Sequence, residues 1–225
     1  MIASVAPILI AVGAFFLRVI NLGNPNGFVF DEVYYVDGAR DFLKYGVEVD
    51  GSEPEFVVHP PVGKWSIALG IRIFGDNEFG WRITAAIAGT LIILIAARLA
   101  HELFYSPFLT AITAALLALD GLLLVHSRTA LLDLFLTLFV LTAAYFWFRQ
   151  QYWYASIFFG LALATKWSAL YFIALFGFVT LFRLFRQVNA KDLLRTVSIK
   201  ILQFGIIPIS IYITSWIGWF ASGRG

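Results

Sequence analysis

Two short runs, Phe30-Asp31-Glu32-Val33-Tyr34-Tyr35 and His59-Pro60-Pro61-Val62-Gly63-Lys64, fall in one polar stretch from Asn24 to Arg82 that separates strongly apolar segments. An acidic pair in such a place has a definite chemical use. A carboxylate that is partly desolvated and sits beside a second negative charge has its pKa raised toward the range of a general base. Most exposed Asp-Glu pairs are merely solvated, but this one follows directly on an apolar segment and precedes two tyrosines. Cations supply the second ingredient. Charges at membrane depth are costly and need a reason, and Arg82, Arg128 and Lys166 fall at the ends of apolar segments on the same side as the acidic pair, together with Asp120 and Asp133. An arginine at such a mouth can hold a phosphate through two parallel hydrogen bonds. These residue types suit a site at a membrane surface that acts on a lipid-linked substrate. The plainer reading of Asp120, Arg128 and Asp133 is a set of polar clamps between spans. Asp133 lies five residues past Arg128, roughly 7.5 Å deeper and about 140° round an ideal helix, so the two need not pair with each other.

The elements that would position these residues are helices in a membrane. The chain has 225 residues, 60% of them hydrophobic and 13% charged, with a mean hydropathy of +0.84, far from the balance of an ordinary globular domain. A single span needs about 20 apolar residues. That length places spans near 2–20, 83–100, 107–125, 129–148, 152–165, 168–186 and 199–219. The expected fold is therefore an all-α integral membrane bundle of about seven transmembrane helices, one domain over 1–225, with a long first loop at 21–82. Ile2 to Ile20 lacks the basic start and small-residue cleavage site of a signal peptide and is expected to stay as the first span. Inside the loop, Asp31 is expected to cap a helix running to about Lys44 and stopped by Gly46, with Val33, Val36, Phe42 and Leu43 near one face. After Pro60 and Pro61, Lys64 to Phe74 reads as a second helix ended by Gly75. Each carries apolar residues on one side and charges on the other, so both suit the interface plane; an ordinary soluble loop is the alternative.

Lysine and arginine set the orientation. Arg98, Arg149, Arg183, Arg186, Lys191, Arg195 and Lys200 gather on one side, against only Glu102 and Asp192, whereas in the first loop the acids outnumber the bases. Positive-inside reasoning puts that loop on the exoplasmic face of a multi-pass cell-membrane protein. The basic cluster from Arg183 to Lys200 would face anionic inner-leaflet lipid. A net charge of +2 with dispersed basic residues gives no footprint for nucleic acid. The absence of cysteine removes disulfides, thiolate nucleophiles and cysteine-type zinc sites. His59, His101 and His126 lie in separate segments, so no metal site is expected; a divalent cation is compatible with the acids but not indicated, and no other cofactor is implied.

Taken in order, Phe30-Asp31-Glu32, His59-Pro60-Pro61-Val62-Gly63-Lys64, Trp81-Arg82, Ser127-Arg128-Thr129-Ala130-Leu131-Leu132-Asp133 and Ala164-Thr165-Lys166-Trp167-Ser168 resemble the protein O-mannosyltransferases. The closing Tyr212-Ile213-Thr214-Ser215-Trp216-Ile217-Gly218-Trp219-Phe220 is similar to the bacterial branch. The resemblance implies a GT-C-type glycosyltransferase that moves mannose from a polyprenyl-phosphate carrier to a serine or threonine hydroxyl of an unfolded or translocating protein. It implies Asp31 as the base, Glu32 as its motif partner and Arg82 as a donor-phosphate ligand, with Arg128 or Lys166 assisting. His59, Lys64 and Asp133 match the motifs without a settled role. Family members continue through further spans and another outer loop, so the chain reads as the amino-terminal half. Two alternatives stay open: a glycosyltransferase of the same class with a lipid or cell-wall acceptor, and a transporter or lipid carrier using the same charges as a path.

Overall fold

Local capping chemistry decides where the apolar segments break into helices. The computed structural model describes residues 5–50, 53–54, 57–187 and 190–222. In chain order the helices are α1 (Ala6–Val19), α2 (Glu32–Tyr45), α3 (Val62–Phe74), α4 (Glu78–Phe104), α5 (Pro107–Leu119), α6 (Gly121–His126), α7 (Leu132–Phe148), α8 (Tyr152–Leu163), α9 (Ala169–Gln187), α10 (Ala190–Ile201), α11 (Ile207–Ser215) and α12 (Ile217–Ser222), with a π-helical turn at Leu202–Ile206 joining α10 to α11. The extended structure described is a two-residue antiparallel pairing, Val49–Asp50 with Glu53–Pro54.

Asn77 opens α4 by accepting from the Gly80 N–H at 3.0 Å, and Ser106 opens α5 by accepting from the Leu109 N–H, just ahead of Pro107. The third expected span is broken at Asp120, whose carboxylate accepts from the Leu123 N–H at 2.6 Å and starts α6. Asp120 is thus a local cap rather than a clamp between spans. The segment expected to cross at 129–148 becomes helical only from Leu132. Glu78–Phe104, Ala169–Arg186 and Asp192–Ser215 are long and apolar enough to cross a membrane; Ala6–Val19, Pro107–Leu119, Leu132–Phe148 and Tyr152–Leu163 are shorter apolar helices. The chain is an all-α membrane protein, but the count of seven spans does not follow from helix length.

Both helices expected in the first loop form. Gly46 ends α2 in the left-handed region, at φ 76°, where a Cβ would be strained. The packed face of α2 differs from the expected one. Tyr35, Val36 and Ala39 are buried against Ile67, Ala68 and Ile71 of α3, Trp81, Ala85 and Ala88 of α4, and Leu132 and Phe135 of α7, while Val33 and Leu43 are exposed. Helical periodicity permits either stripe; the buried one is selected because it also carries Glu32 and Gly38, whose polar and close-packing demands are met inside the bundle. The amino end of α3 is anchored separately by the Val62 N–H, which donates to the Ala164 carbonyl at 2.9 Å.

Gly38 lets the buried ion pair between Glu48 and Lys64 lie directly against the α2 backbone, since a Cβ there would overlap the Glu48 carboxylate and press on Lys64. Gly38→Ala is therefore expected to lower stability by about 1–3 kcal/mol, as overpacking does. Gly13→Ala, where a Cβ meets nothing within 4 Å, should be neutral or mildly stabilising. Thermal unfolding of the two variants in detergent checks the contrast.

Candidate active site

The acidic pair is divided by its surroundings. Glu32 is fully buried, and its four acceptor positions are filled. Oε1 accepts from Arg82 Nε and from the Ala130 N–H, each at 2.8 Å, and Oε2 accepts from Arg82 Nη2 and from the Val29 N–H, again each at 2.8 Å. Arg82 is equally closed. Besides its two bonds to Glu32, it donates through Nη1 to the carbonyls of Leu22 and Pro25 at 3.3 and 2.9 Å, and through Nη2 to that of Gly27 at 2.7 Å. A guanidinium has five N–H groups, and five acceptors of this chain take them. In this structure Arg82 has no donor left for a phosphate, and Glu32 has no lone pair left for a substrate. Arg82, expected as a donor-phosphate ligand, and Glu32, expected as the motif partner of Asp31, here join the α1–α2 connection, α2, α4 and the entry to α7.

Asp31 is different. It precedes α2 without using its side chain as a cap, contrary to the expectation from sequence, because Glu32 reaches back to the Val29 N–H instead. Its half-buried carboxylate makes no ion pair among the described residues and accepts one hydrogen bond, from the Tyr35 hydroxyl at 3.4 Å. Around it the fold gathers residues from three further segments. The His59 ring lies 6.0 Å from the Tyr35 ring. Lys166, in the turn between α8 and α9, donates to Asp133 in the first turn of α7 at 2.7 Å, with 25% and 50% of the two side chains exposed.

The electrostatics agree with that grouping. Burial first, then the charges of Asp31 and Asp133 and the bond to Asp31, push the Tyr35 phenol above its ordinary range. Burial first, then Lys166 and Lys64, pull the His59 imidazolium down from 6.5 against the opposing pull of Asp133 and Asp31. Asp31, Tyr35, His59, Asp133 and Lys166 thus lie within electrostatic reach of one another. Beside Asp133 a cavity of about 210 Å³ runs between Leu122, Leu123 and Leu134, with Asp120, His126 and Thr137 on its wall.

Other predicted residues lie elsewhere. Lys64 is buried and paired with Glu48, so it acts on His59 as a charge and not as a surface ligand. Arg128 spends its guanidinium on the end of α1: Nη1 donates to the carbonyls of Leu17, Arg18 and Ile20 at 3.0, 2.9 and 2.7 Å, and Nη2 to that of Asn21 at 3.1 Å. That is the position in which a cation answers the negative end of a helix. This cap takes Nη1 and one bond from Nη2 of the five N–H groups of Arg128. Arg128 and Asp133 do not pair with each other, because the backbone between them leaves the helix. Among the described residues no three His, Asp or Glu side chains converge as a metal site. Tyr35 was not singled out beforehand, although its place four residues after Asp31 puts it on the same helical face. Arg18 was likewise passed over. It is fully buried, with Nη1 donating to Ala14 and neither Nε nor Nη2 bonded among the described residues.

The class these features define is a helical membrane protein that gathers a half-buried carboxylate, an imidazole and a partly free ammonium. The family profile described as dolichyl-phosphate-mannose-protein mannosyltransferase matches residues 8–220, and the chain belongs to that family. Relatives named polyprenol-phosphate-mannose–protein mannosyltransferase include one from Mycolicibacterium smegmatis, 34% identical over 91% of this chain and 48% of its own length, and one from Mycobacterium tuberculosis, 36% identical over 95% and 49%. The dolichyl-phosphate-mannose–protein mannosyltransferase 1 of Candida albicans is 29% identical over 92% of this chain and 26% of its own length. The chain spans about half the length of the bacterial relatives it matches.

Two outcomes are expected from this geometry. Arg82→Met leaves the Glu32 carboxylate buried and unpaired, at a cost of about 3–5 kcal/mol, so the yield of monodisperse protein in detergent should collapse; Arg82→Lys, with three donors for five acceptors, should rescue it poorly. For His59, the folded pKa lies below the unfolded 6.5, so below pH 6.5 the unfolded chain binds more protons and stability falls as pH drops. His59→Gln should flatten that decline in the pH dependence of the melting temperature.

Proposed function

We propose that this chain carries the catalytic surface of a GT-C-type glycosyltransferase that moves mannose from a polyprenyl-phosphate carrier to serine or threonine hydroxyls of unfolded or translocating proteins. The site lies on the exoplasmic face of a multi-pass cell-membrane protein, with residues 21–82 as its outer loop. Family membership and the names of the relatives support the substrates. The acid-rich loop, set against Arg98, Arg149, Arg183, Arg186 and Lys200, supports the orientation. The observation that carries the assignment of roles is the division of the acidic pair: Glu32 is saturated inside the protein, and Asp31 is left half-exposed with one long hydrogen bond.

The acceptor hydroxyl loses its proton to the Asp31 carboxylate as its oxygen attacks the anomeric carbon. The bond from that carbon to the phosphate oxygen breaks, and the electron pair leaves with the polyprenyl phosphate. One displacement inverts the anomeric centre. A positioned carboxylate contributes about 10² to 10⁴-fold to such a step. The leaving phosphate gains negative charge, and a cation aimed at it stabilises the transition state. Lys166 takes that part, since Asp133 uses one of its three N–H groups, and the cavity between Leu122, Leu123 and Leu134 offers an apolar bed beside Asp133 for the first isoprene units. No step calls on a metal ion or other cofactor.

Asp31→Asn, assayed in membranes with labelled polyprenyl-phosphate mannose and an acceptor peptide, should retain donor binding and lose transfer by at least about 10²-fold. Undiminished turnover would remove Asp31 from the reaction.

A further inference from the structure

We infer that Tyr35 is a positioning residue for the reaction, its hydroxyl orienting the Asp31 carboxylate. The inference rests on Asp31 as the base. The Tyr35 ring is held by the core of α2, α3, α4 and α7 and is only 6% exposed, so its hydroxyl has a fixed position from which to donate. Asp31 stands one helical turn earlier, relieved of capping, and Tyr35 is the side chain that bonds it. At 3.4 Å the bond is longer than the usual 2.7–2.8 Å of an O–H···O contact, and it takes only one of the acceptor positions of the carboxylate, leaving the others to a substrate hydroxyl.

The charges that act on Tyr35 are Asp31, one residue before its helix, and Asp133 on α7; the His59 ring lies 6.0 Å from the Tyr35 ring, and Lys64 within α3 and Lys166 between α8 and α9 act on His59 in turn. Glu32 and Arg82 are closed on each other. Two carboxylates facing one phenol disfavour its ionisation, so Tyr35 stays a donor throughout the working pH range. A hydrogen bond to a carboxylate favours its charged form, and phenylalanine would fill the same space without donating one.

Tyr35→Phe isolates the hydroxyl. In membranes assayed for transfer of labelled mannose to a peptide, the acid limb of the kcat/KM profile should move to higher pH, by up to about one unit. Activity below the limb should then fall up to about tenfold, with donor KM and melting temperature little changed. A fluorinated tyrosine at position 35, a stronger donor, should move the limb the other way. An unmoved limb in both variants, or an equal loss at every pH, would overturn the role of Tyr35. If Asp31→Asn abolishes transfer while the limb stays unmoved, the fault lies with Tyr35 alone; undiminished turnover in Asp31→Asn would overturn the base itself.

Discussion

A guanidinium and a carboxylate held out of water survive only if nearly every polar atom on both has a partner, and Arg82 with Glu32 meets that condition through bonds reaching four separate parts of the chain. Removing two such ions from water costs several kcal/mol each, and their mutual attraction offsets this only in near-ideal geometry. The pair therefore constrains its surroundings. The stretch Leu22–Gly27 must offer carbonyls, the chain before α7 must offer the Ala130 N–H, and α2 must begin where Glu32 can turn inward. Asp31, one residue earlier on that helix, is thereby directed away from Glu32 toward Tyr35 and the outer surface.

The same demand for partners governs other polar groups of the motifs and helix ends, which bond the backbone. Helices that stop inside an apolar bundle leave carbonyls and N–H groups that water cannot reach. Glu32 answers the buried N–H of Ala130 and Arg128 the carbonyls at the end of α1, while Asp120 and Ser106 cap the exposed starts of α6 and α5. Once those demands are met, few charges are left for chemistry. Lys166 and Asp133 stay partly exposed together, and Asp31 stays without an ion pair among the described residues.

Packing of the outer helices makes the small site possible. The start of α3 lies against Leu132 and Thr165 because Gly63 has no Cβ to hold them off, and the Val62 N–H reaches the Ala164 carbonyl. The segment holding His59 is thus brought to the segment holding Lys166, although more than a hundred residues separate them. Trp81 adds a second tie: it stacks on Phe28 with ring centroids 4.9 Å apart and donates to Asp76, which also accepts from Arg40 of α2. Loop helices fixed in this way can hold a carboxylate at the aim that a displacement reaction requires.

Local chemistry alone determined much of this protein. Apolar runs dictated an all-helical membrane chain, Gly46 and Gly75 ended the two loop helices where expected, and the acidic pair with its ordered companion motifs marked the family. Those features depend on neighbours within a few residues, or on the mere presence of a residue type, and both are legible along a string. That Glu32 is saturated and Asp31 is not, that Arg82 has every donor taken while Lys166 has not, and that Tyr35 joins the group were decided by the tertiary structure. The reason is that a charged group is available only after the buried backbone and its counter-ions have taken their share, and those partners lie 50 to 110 residues away in the chain.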